Sequence, residues 1–167
     1  KAGHVDAADM WSVLFDKDIG MCVRKSSKLL TNCKNAIEFQ KEFREVCNNW
    51  NVRNQLIFYF SGHGEKRSNI YALQFGDSNP TYYFINDLFN TIGFYSIQSA
   101  IIIIDACQSG AITTGTIKGS SKKTQFEIPL PDIPAGIAVI TSSRETEFSH
   151  EKDDGSFVVS QKQEWEN

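Results

Sequence analysis

Gln55-Leu56-Ile57-Phe58-Tyr59-Phe60-Ser61-Gly62-His63-Gly64 and Ala100-Ile101-Ile102-Ile103-Ile104-Asp105-Ala106-Cys107-Gln108-Ser109-Gly110 follow one pattern twice. In each, an apolar run of about six residues, β-branched or aromatic, gives way to polar residues and glycine, the signature of a buried strand entering a loop. The first run delivers a histidine and the second a cysteine. If the two strands are parallel neighbours, both side chains emerge at the same edge of the sheet. In open α/β sheets, sites form at the carboxyl ends of strands. A thiol and an imidazole placed there are the parts of a cysteine nucleophile and its proton handler.

The flanking sequence alternates helix and strand signals. Ala7, Met10, Trp11 and Leu14 recur at helical spacing, with Gly20 as the stop. Met21-Cys22-Val23 reads as a short strand or an extended connection. Asn35 and Glu38 form a capping box for a helix carrying Ala36, Phe39, Phe43, Val46, Cys47 and Trp50 on one face. Ile70 to Phe75 is a strand closed by Gly76-Asp77-Ser78-Asn79-Pro80, and Ile85, Leu88, Phe89 and Ile92 mark a second amphipathic helix. Ile137 to Thr141 is a further core strand. From Ala111 to Ala135 no period is visible, and a loop longer than about 12–15 residues is usually functional or mobile. The pattern implies an α/β layer fold with a mostly parallel sheet.

The chain of 167 residues fits one domain with a sizeable core, and its 41% hydrophobic and 22% charged content is ordinary for a globular protein. A net charge of -3 leaves no nucleic-acid footprint, and no apolar run approaches the roughly 20 residues of a membrane helix. None of Cys22, Cys33, Cys47 and Cys107 forms a C-x-x-C pair, which disfavours a zinc ribbon or a thioredoxin motif. All four read as reduced thiols of an intracellular, cytoplasmic protein, the first three as small buried or half-buried residues. His4 and His150 read as exposed.

Taken in order, Phe58 to Gly64, Asp105 to Gly110 and Val139-Ile140-Thr141-Ser142-Ser143-Arg144-Glu145-Thr146-Glu147 resemble the caspase-like cysteine peptidases, most closely metacaspases and their bacterial relatives. The resemblance runs from about Ala7 to Phe157, and Val5 to Met10 looks like the family's first helix. It implies a caspase-like layered α/β fold over residues 1–167, a mostly parallel central sheet flanked by helices. The family begins with a core strand before the first helix and continues past Gly155-Ser156-Phe157. The expectation is therefore a domain lacking its first core strand and its C-terminal elements, completed by a further chain or domain.

Roles follow from the residues and the resemblance together. Cys107 is the expected nucleophile, attacking as thiolate, and His63 the group that protonates the leaving amine. The resemblance implies an oxyanion site of the Gly64 and Cys107 amides, with no third triad member. On a regular strand Asp105 faces the same way as Cys107. By resemblance Asp105 lines the pocket for the residue before the cut bond, with Ser61 at the matching position, and a carboxylate there selects Arg or Lys. Ser142, Ser143 and Arg144 fall where the family pairs with substrate backbone; Arg144 reads equally as a solvated charge. No organic cofactor or catalytic metal is implied. Calcium activates many metacaspases, but the acidic run Glu151 to Asp154 reads as a solvated loop and no ligands are assigned. The implied partner is a protein or peptide substrate, with no nucleic acid and no membrane. The rival readings are a catalytically idle caspase-like scaffold, against which the intact dyad argues, and a hydrolase using Cys107 on small amides.

Overall fold

A computed structural model describes residues 2–20, 22–50, 54–68, 70–76, 78–106 and 133–142. Helix α1 spans Ala2–Leu14. The chain then folds back on it, the Cys22 N–H donating to the Leu14 carbonyl at 3.2 Å. Gly20 is required in that return, because a Cβ there would collide with the Leu14 carbonyl. Among the described residues the connection beyond forms no strand; it carries a 3-10 turn at Arg24–Ser26. Helix α2, Ala36–Asn48, starts as its capping residues dictate: the Asn35 side chain accepts from the Glu38 N–H, while the Glu38 carboxylate accepts from the Lys34 N–H at 2.8 Å.

Six strands follow among the described residues: β1 (Leu56–Ser61), β2 (Gly64–Arg67), β3 (Ile70–Phe75), β4 (Thr81–Phe84), β5 (Ala100–Asp105) and β6 (Ile137–Thr141), with α3 (Ile85–Phe94) between β4 and β5. They form two sheets. The central one is parallel throughout in the order β1-β5-β6, and the other is an antiparallel meander, β2-β3-β4. The parallel neighbours expected for the two motif-bearing strands are β1 and β5.

Alternation sorts the central sheet into two faces. Leu56 and Phe58 of β1 and Ala100, Ile102 and Ile104 of β5 turn to one side and are buried. There Phe58 meets Phe39 and Phe43 of α2, with ring centroids 5.9 and 5.6 Å apart. Phe39 is the hub of the core, also stacking on Phe75 at 4.8 Å and meeting Tyr83 edge-on at 4.9 Å. The opposite face carries Tyr59, Ser61 and Asp105, and α1 lies over it, joined through Asp6 and Ser61. The sheet is thus sandwiched between α1 and α2.

Among the described residues β1 forms one edge of this sheet. The Leu56 N–H donates to Ser99 and the Gly62 N–H to Asp105, so even-numbered backbone groups of the strand face β5. Those of Ile57, Tyr59 and Ser61 therefore point outward. A cavity of about 780 Å³ runs along that edge, walled by Met10, Trp11 and Leu14 of α1, Phe43 and Val46 of α2, and Trp50, whose buried indole N–H has no hydrogen-bond partner among the described residues.

Candidate active site

Two strand ends build the site. Register on the parallel pair sets Ser61 opposite Asp105, so the loops that leave these residues start side by side at the carboxyl edge. The first loop carries Gly62 and His63 and the second begins with Ala106, which is buried. His63 is exposed, and its backbone is pinned from behind by the Gln74 N–H, which donates to its carbonyl at 2.9 Å. Cys107, Ser143 and Arg144 lie outside the described residues, and so do His150, the run Glu151 to Asp154 and the segment 111–132. The structure therefore brings together His63, Ser61 and Asp105, and carries the chain to the residue before Cys107.

A polar cluster lies beside that edge. The Ser61 hydroxyl donates to the Asp6 carboxylate at 2.9 Å. Tyr59, one pleat earlier on the same face, has its hydroxyl within reach of Ser61 and Asp105. Burial, reinforced by the carboxylates of Asp105 and Asp6, pushes the Tyr59 phenol up to about 12. The phenol is therefore a permanent neutral donor in a cluster holding carboxylates from α1 and β5. Asp6 was not among the residues singled out from the sequence. Its contact spans 55 positions and leaves no local trace. The available signal is its place four residues before Met10 and eight before Leu14, an acid on the line of an otherwise apolar helical stripe.

The geometry at Gly64 decides where its amide points. Gly64 pairs with Leu73 across the β2–β3 ladder, while the bond from Gln74 goes to His63, one residue earlier. That makes Gly64–Leu73 a non-hydrogen-bonded pair, and the Gly64 N–H turns away from β3 toward the open side of β2. An outward amide next to a histidine is what an oxyanion donor requires. Ser142 extends the β6 ladder, its N–H donating to the Ile104 carbonyl at 3.1 Å, and it is half-buried at the same edge as Asp105.

The remaining thiols differ in kind. Cys22, Cys33 and Cys47 are all free, and burial raises each of them, Cys47 to about 12. Such thiols are poor nucleophiles, because only the thiolate attacks. Among the described residues no group of three or more His, Cys, Asp or Glu side chains is arranged to hold a metal ion, and no helix is long and apolar enough to cross a membrane.

Residues 1–162 match the caspase domain family, and the chain belongs to that family of cysteine peptidases. Its α/β architecture is consistent with that membership. No curated protein matches the chain.

Proposed function

We propose, proceeding from membership of the caspase domain family, that this chain is a metacaspase-like cysteine endopeptidase that cuts proteins after Arg or Lys. The observation that carries the proposal is the register Ser61 opposite Asp105, with Asp6 bound to Ser61, at the strand ends from which the His63 and Cys107 loops depart. In the reaction, the Cys107 thiolate attacks the scissile carbonyl carbon. The carbon–sulfur bond forms and the carbonyl oxygen takes the negative charge, facing the Gly64 and Cys107 amides. The carbon–nitrogen bond then breaks, and His63 gives its proton to the departing amine. Water, deprotonated by His63, attacks the thioester; the carbon–sulfur bond breaks, the new carboxyl product leaves, and the Cys107 thiolate and protonated His63 are restored.

The charge argument supports basic selectivity. A cation about 4 Å from a carboxylate gains roughly 4 kcal/mol at an effective dielectric of about 20, and an anionic side chain loses as much. Asp105 and Asp6 together favour a guanidinium or ammonium and oppose an aspartate. Against a caspase-like scaffold without activity stands the presence of both His63 and Cys107 in the sequence.

We also propose that the outer edge of β1 is paired in the working protein by a strand of polypeptide beyond the described residues. The support is the outward backbone of Ile57, Tyr59 and Ser61 facing the 780 Å³ cavity.

The test is turnover of a peptide with Arg before the cut bond by wild type, Cys107→Ala and His63→Ala chains. The proposal expects activity in the first and near-complete loss in the others. Equal activity in wild type and Cys107→Ala would remove Cys107 as nucleophile.

A further inference from the structure

Tyr71, on β3, belongs neither to the dyad nor to the acidic pocket, yet its hydroxyl packs against Gly64, the residue after His63. It is 3% exposed, anchored in the antiparallel sheet and not in either loop. On the ladder it faces Lys66, which makes it the diagonal neighbour of Gly64. A Cβ on Gly64 would collide with the Tyr71 hydroxyl, and the same point lies 3.3 Å from the Ala106 Cβ. The phenol oxygen therefore fills the space that a side chain at position 64 would need, between the loop bearing His63 and the last residue before Cys107.

We infer that Tyr71 is a positioning residue of the oxyanion site, a wedge that fixes where the Gly64 amide sits. The inference rests on the function proposed above, in which that amide is a donor. Its physical basis is tolerance: oxyanion donors act only within about 2.7–3.1 Å of the developing charge. Gly62 and Gly64 give the first loop little stiffness of its own. A buried ring on a neighbouring strand supplies that stiffness from outside.

Tyr71→Phe keeps the ring and removes the wedge. Peptide turnover should then fall about tenfold or more in kcat with KM within about twofold, since a whole oxyanion donor is worth about 10²–10³ in kcat. Alkylation of Cys107 by iodoacetamide, in which sulfur displaces iodide from a saturated carbon, develops no oxyanion and should keep its wild-type rate. Gly64→Ala presses on the same contact. The double variant Gly64→Ala/Tyr71→Phe should therefore lose less than the product of the two single losses. Unchanged turnover in Tyr71→Phe overturns the inference, as does a parallel fall in alkylation, or single losses that multiply independently. Failure of the underlying function shows separately, as wild-type turnover that does not depend on Cys107.

Discussion

His63 and Asp105 are held by their strands; Asp6 reaches the same edge from a helix 55 residues before its partner Ser61. That difference governs how the site responds to substitution. Asp105→Asn and Asp6→Asn should each lower kcat/KM for an Arg substrate by about 10- to 100-fold, the worth of a hydrogen bond to a charged group at roughly 1.5–3 kcal/mol. Assays on matched Arg and neutral substrates check this: a loss of equal size on both would deny the carboxylates a role in selection. Ser61, His63 and Asp105 were legible in the sequence because each is fixed by an adjacent strand whose period shows which way it points. Asp6 was not, because its role comes from docking α1 on the sheet. Cys107 reads from the sequence in the same way as His63, by its place after a core strand, and it lies outside the described residues.

Among the elements, α2 and β1 carry the core through one ring. Phe39 contacts Phe43, Phe58, Phe75 and Tyr83, so Phe39→Ala should cost about 3–5 kcal/mol of stability, read as a drop in the urea midpoint at unchanged slope. A cost below about 1 kcal/mol would show that the cluster repacks around the cavity. The cap is worth less: Asn35→Ala should cost about 1 kcal/mol. The helices α1 to α3 and strands β1, β3, β5 and β6 were legible from periodicity. β2 and β4 were not. Gly64-Glu65-Lys66-Arg67 has three charged residues in a row and no apolar alternation, and it is a strand because β3 pairs with it. Thr81-Tyr82-Tyr83-Phe84 runs into α3 with no turn residue between, so its end is invisible to a search for punctuation. The stretch after Gly20 reads equally as strand or connection, and tertiary folding onto α1 makes it a connection.

For the whole molecule, burial of ionisable groups sets a limit on the alkaline side. The Cys47 thiol is raised from 9.0 and the Tyr59 phenol from 10.0, each to about 12. Both hold their protons more tightly folded than unfolded. Their contribution to stability is complete below the unfolded values and is lost as the pH rises through the folded ones. The urea midpoint should therefore fall between pH 9 and 12, and Cys47→Ala should reduce the slope. A midpoint flat across that window would contradict the burial of both groups. The edge of β1 and its cavity belong to this scale too, and a strand supplied there should raise stability by covering apolar surface at about 25 cal/mol per Å². The central claim joins the residues to the molecule: a thiol at Cys107 and a carboxylate pocket acting together on basic substrates. The most direct test is a peptide library with every residue before the cut bond, digested by the wild-type chain with Cys107→Ala as control and read by mass spectrometry. The account predicts cleavage after Arg and Lys that disappears in the control; preferred cleavage after Asp, or cleavage that survives in Cys107→Ala, would contradict it.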